Sequence, residues 1–124
     1  MNYESVYFEK CFSEMKEMFN LPDEVFFELN DAFFEIAAQQ IELLRTALMQ
    51  KEMEQLILHS HTIKGSSQSL RHLSISRAAA EIEHHAREKS FFSYSTAIYA
   101  LSEEITKLRS DYLHWKPNAQ ANNP

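Results

Sequence analysis

Residues 59–68 read His59-Ser60-His61-Thr62-Ile63-Lys64-Gly65-Ser66-Ser67-Gln68 and contain the only glycine of a 124-residue chain. Nothing around Gly65 reads as a turn. The stretch lies where a helix should be strongest, and a glycine inside a helix costs about 1 kcal/mol relative to alanine. With its one glycine placed in a helix and only three prolines, the chain has too few turn formers for a series of hairpins. The expected class is therefore all-α. The cost of Gly65 also needs a reason, and close approach of another surface to that helix supplies one.

Working outward, five helical segments are expected. The first, Tyr3 to Phe19, carries Phe8, Phe12, Met15 and Phe19 at helical spacing. Asn20-Leu21-Pro22-Asp23 breaks it, with Pro22 suited to the first turn of the next helix. The second runs to about Gln50 on a stripe of Phe26, Leu29, Phe33, Ala37, Ile41, Leu44 and Leu48. The third covers about Lys51 to Arg71; no Gly or Pro separates it from the second, so length alone places that turn. Ser74 is the expected N-cap of a fourth helix to about Lys89, with Ile75, Ala78, Ile82 and Ala86 facing in. The fifth keeps a heptad stripe of Tyr94, Ile98, Leu101, Ile105, Leu108, Tyr112 and Trp115 and is expected to end at Lys116-Pro117.

Four amphipathic helices on short connections make an up-down-up-down four-helix bundle, with an additional N-terminal helix capping one end. The expected organisation is one helical domain over 1–116, with the N-terminal helix at 3–19, the bundle at 22–115 and a disordered polar tail at 117–124. A chain of this length holds one core. The net charge of -6 and the lack of any Lys/Arg cluster argue against nucleic acid or an anionic membrane as partner. No apolar run reaches the length of a membrane span, and the N-terminus lacks the pattern of a signal peptide. Cys11 stands alone, which fits a reducing cytoplasm.

On the wheel of the third helix, Leu56, Ile63, Ser67 and Leu70 share the buried stripe, with Ser60 at its edge. His61 points almost opposite, to solvent. Around it fall Ile57, Lys64, Gly65, Gln68 and, if the helix extends that far, His72. An exposed imidazole is a good nucleophile near neutral pH, and an ammonium one turn away acts as a mobile charge on phosphate oxygens. Phosphoryl transfer needs mostly positioning and electrostatics. The patch has no carboxylate cluster for Mg²⁺ and the chain no Gly-rich phosphate loop, so ATP binding is not expected. Singly, an exposed histidine, a lysine and two serines are ordinary surface; only their grouping around the sole glycine carries the reading.

That grouping resembles the histidine-containing phosphotransfer (HPt) family of multistep phosphorelays. The family motif His-x-Leu-Lys-Gly-Ser-Ser stands here as His61-Thr62-Ile63-Lys64-Gly65-Ser66-Ser67. The likeness continues through Leu70, Ile75, Ala78 and Ile82-Glu83, reaches back to Ala47-Leu48 and Leu56, and covers Asp23 to Trp115. It implies that His61 is the phosphoacceptor, that Lys64 stabilises the transferred group, that Gly65 clears the docking path, and that Glu83 hydrogen-bonds the histidine ring. Ile57 and Leu58 would give the apolar part of partner docking, with Gln68, Arg71 and His72 on the rim. Two positions depart from the family: Arg71 replaces the usual glycine after the helix-ending Leu70, implying a less sharp exit, and Ser60 replaces an alanine.

The partners implied are receiver domains of a hybrid sensor kinase and of a response regulator, with any Mg²⁺ held by the receiver and no cofactor or metal on this chain. A stand-alone, monomeric, cytoplasmic carrier without kinase activity is the expectation. Two rivals differ in class. One is an HPt-like binding module that docks receivers without being phosphorylated. The other is a metal–carboxylate bundle built on Glu81-x-x-His84, which would require two such pairs plus two further glutamates projecting into the core, and the chain shows one pair. His59 and His61 diverge by about 200° on the helix and cannot share an ion.

Overall fold

The structure is a computed structural model and describes residues 3–121. Among the described residues it contains five helices and no strand: α1 (Tyr3–Phe19), α2 (Asp23–Met49), α3 (Met53–Ser69), α4 (Leu73–Glu88) and α5 (Tyr94–Ala121). Helices α2 to α5 pack in sequence around a square, α2 on α3, α3 on α4, α4 on α5 and α5 back on α2. The short connections make it an up-down-up-down bundle. Helix α1 lies across α5 and α2 at the end where α2 begins and α5 finishes.

The apolar stripes explain the packing. Leu44, Leu56, Ile63, Ile75, Ile82, Ile98 and Leu101 are buried along the bundle axis. At the α1 end the core turns aromatic: the Phe8, Phe12, Phe26 and Phe27 rings each lie within 6 Å of Trp115. Burying large rings is what holds α1, since each aromatic removes well over 100 Å² from water. Leu29, placed on the inward stripe by spacing, is instead exposed, as is Phe19; Phe27, Asn30 and Phe34 take the inward positions on α2.

Among the described residues, Asn20, Lys51, Arg71 and Lys89 adopt the left-handed conformation. Each ends a helix. At three exits the backbone closes in the Schellman pattern, with Glu52 N–H on Ala47 O, His72 N–H on Ser67 O, and Ser90 N–H on His85 O, at 2.8–3.1 Å. The α2–α3 turn therefore sits at Gln50–Glu52. The exit after Leu70 is sharp despite Arg71, which takes a φ of 68°. Helix α3 ends at Ser69 and α4 starts at Leu73, so the N-cap position falls on His72 and not on Ser74, which lies inside the helix.

Helix α5 does not stop at Lys116-Pro117 but carries Pro117 inside it to Ala121. The buried Trp115, the Lys116–Asp31 ion pair at 2.8 Å and Ala119 packed on the core hold these turns down, outweighing the hydrogen bond that proline removes. The expected tail is thus helical over 117–121, and its remainder, 122–124, lies outside the described residues.

The α3–α4 contact positions the site. Ser60 and Ser67 on α3 and Ser76 and Ala79 on α4 are all buried, the Ser76 hydroxyl donates to Lys64 O at 3.2 Å, and such small side chains let two helices approach closely. The hydroxyls of Ser60 and Ser67 donate to Leu56 O and Ile63 O, both at 2.6 Å, so burial leaves neither unpaired. No helix among the described residues is long and apolar enough to cross a membrane.

Candidate functional site

Halfway along α3, His61 projects from the bundle with its side chain 58% exposed. Its Nδ1 lies 2.9 Å from Oε2 of Glu83 on α4. Glu83 is 4% exposed, and three side chains share its carboxylate. Lys64 Nζ sits 2.7 Å from Oε1, while Arg87 places Nε at 3.0 Å and Nη2 at 2.7 Å from Oε2. Burial alone would raise the Glu83 pKa. The hydrogen bonds from Lys64, Arg87 and His61 outweigh it and hold the carboxyl down at about 2.

An ionised carboxylate only accepts hydrogen bonds, so His61 Nδ1 must be the donor. In the neutral ring the lone pair then belongs to Nε2, on the outward side, where no described residue hydrogen-bonds it. The site thus presents a tautomer-fixed imidazole with a free nitrogen, one lysine a turn along the same helix, and a buried anion behind both.

Gly65 follows Lys64 and is exposed, and a Cβ built there meets nothing within 4 Å. Nothing inside the protein therefore requires a glycine at this position. Leu58 is exposed and Gln68 is exposed, while Ile57 is half-buried against the core; all three border the histidine face of α3.

Two candidate rim residues lie elsewhere. His72 is 1% exposed and cannot meet a partner. Extending the α3 wheel to it fails because the left-handed Arg71 ends the helix and turns the next side chain inward. There His72 Nδ1 accepts from the Tyr7 hydroxyl and Nε2 donates to Asn30 Oδ1, each at 2.8 Å. Burial lowers its pKa to about 4, so the ring is neutral. Arg71 is half-buried at the α1 corner, with Nη2 2.8 Å from Met18 Sδ, and is not gathered with His61.

Arg87 is the residue that sequence reasoning missed. A signal existed: Glu83 and Arg87 stand i and i+4 on one helix, acid first, the favourable order for a pair. Among the described residues, no three His, Cys, Asp or Glu side chains come together as a metal site would need. His59 turns away from His61, with Nδ1 2.7 Å from Gln40 Oε1 on α2.

A family model described as the Hpt domain matches residues 28–111. The matched range contains His61, Lys64, Gly65, Glu83 and Arg87. Neither a curated protein nor a solved structure matches the chain.

Proposed function

The chain belongs to the Hpt-domain family of phosphorelay histidine phosphotransfer modules, and from that premise we propose that His61 carries a phosphoryl group between two receiver domains. The donor is an aspartyl phosphate on the receiver of a hybrid sensor kinase, and the acceptor is the aspartate of a response regulator. The observation that carries this reading is the anchored ring: Nδ1 bound to a buried anion, Nε2 open to solvent, and Lys64 one turn away.

The chemistry balances without an outside base. The Nε2 lone pair attacks phosphorus, the P–O bond to the receiver aspartate breaks, and aspartate leaves as carboxylate with the bonding electrons. The ring keeps its Nδ1–H and becomes an imidazolium, whose positive charge faces Glu83. In onward transfer the second aspartate attacks phosphorus, and the N–P electrons return to Nε2. A ring held in its cationic form is the better leaving group, so the same carboxylate serves both directions. Lys64 neutralises charge on the phosphoryl oxygens. Gly65 leaves room for the receiver to approach, and Ile57, Leu58 and Gln68 meet it at the edge.

On this reading Mg²⁺ belongs to the receiver, the chain acts as a cytoplasmic monomer without kinase activity, and docking is brief and modest in area, since a carrier must release its partner. Incubation with a phosphorylated receiver should place an acid-labile phosphoryl group on the wild type and none on His61→Gln. Binding of the receiver with no label on either protein would support the rival reading, a docking module that is never phosphorylated.

A further inference from the structure

The two oxygens of Glu83 are used differently. Oε2 takes the His61 Nδ1–H and both Arg87 donors, at 2.9, 3.0 and 2.7 Å, whereas Oε1 takes Lys64 alone, at 2.7 Å. A phosphoryl group on Nε2 brings about two negative charges to within reach of Lys64. The lysine cannot serve both anions closely, and its flexible four-carbon stem makes it the member able to move. Once Lys64 turns outward, Glu83 is a buried carboxylate that has lost one of its two full cations. A buried anion left short of partners is costly and prone to protonation or rotation, and either change would release the Nδ1–H.

We propose that Arg87 is a positioning residue that holds Glu83 on the His61 ring while Lys64 leaves it for the phosphoryl group. The planar guanidinium grips Oε2 through two donors, a hold that a single ammonium does not reproduce. It sits one turn beyond Glu83 on α4, so the clamp is built within one helix and does not depend on the partner. Work is thereby divided: Arg87 keeps the ring's tautomer, and Lys64 is free to follow the charge. The proposal rests on the carrier reading and adds to it a residue acting through Glu83 rather than on the phosphoryl group.

The test uses the full chain as wild type, Arg87→Met, Arg87→Lys, Lys64→Met and the double variant Lys64→Met/Arg87→Met. In the unphosphorylated proteins, ¹⁵N NMR should find His61 protonated on Nδ1 in wild type and in each single variant, and a mixture of tautomers in the double variant. After phosphorylation by a receiver, the Nδ1–H signal should persist in wild type and vanish in Arg87→Met. The rate of onward transfer should fall about tenfold in Arg87→Met and recover in part in Arg87→Lys. An Arg87→Met protein that keeps both the Nδ1–H signal and the wild-type transfer rate overturns the proposal and leaves the carrier reading standing. A wild type that takes no label overturns the carrier reading itself, and the proposal with it.

Discussion

Gly65 has an ordinary right-handed helical backbone and open space where a side chain would go. Replacing it by alanine should therefore raise the free energy of unfolding by about 1 kcal/mol, read by urea titration. The same methyl group would stand in the path of a docking receiver, and overpacking of a close interface costs about 1–3 kcal/mol, so transfer should slow about tenfold or more, chiefly through KM. A Gly65→Ala protein that is more stable and equally active would remove the functional reason for the glycine. At this scale the sequence is readable where the site lies on one helix face: His61, Lys64 and Gly65 fall within five residues, and helical periodicity alone places them together. Glu83 needed the family resemblance, because its pairing with His61 crosses from one helix to another. His72 falls off this face because α3 ends at Ser69 and the left-handed Arg71 turns the chain inward, at an exit that no glycine marks.

The helix exits show the same difficulty for whole elements. Asn20, Lys51, Arg71 and Lys89 hold positive φ values of 50–68°, a conformation that costs an L-residue roughly 1–2 kcal/mol more than it costs glycine. Glycine at Lys51, Arg71 or Lys89 should therefore stabilise the fold by about 1 kcal/mol each, measured by thermal or denaturant unfolding, and nearly additively since the three turns are separate. Destabilisation at all three would contradict the assigned exits. The apolar stripes made the helices legible. Their ends were less so: Asn20 and Pro22 marked the end of α1, but the exits at Lys51, Arg71 and Lys89 carry no such marker and, at Pro117, a marker is present where the helix continues. There Trp115 and Ala119 remain packed, and tertiary burial decides against the local rule.

For the whole molecule, the α1 end is joined by a polar chain through its aromatic core: Tyr7 to His72, His72 to Asn30, and Asn30 to Phe26 O. Folding favours the neutral His72 ring because burial lowers its pKa from 6.5 to about 4. The stability this contributes is fully present above pH 6.5 and is lost as the pH falls through about 4, amounting to about 3 kcal/mol. Glu83 shifts down from 4.5 to about 2, so it adds a further loss in the same direction at lower pH. Denaturant unfolding between pH 7 and 4 should show this slope in the wild type, and His72→Gln, which does not titrate, should flatten it. Parallel curves for the two proteins would contradict the assignment. Nothing in residues 59–72 alone announced this role, because it depends on α1 closing over the ring.

The most direct test of the central claim is where the phosphoryl group sits after reaction with an aspartyl-phosphorylated receiver, read by ³¹P and ¹⁵N NMR on uniformly labelled protein. The account predicts a single phosphohistidine at His61 bonded through Nε2, with Nδ1 still protonated and hydrogen-bonded to Glu83. Phosphoryl on Nδ1, on another histidine, or on no residue at all would contradict it.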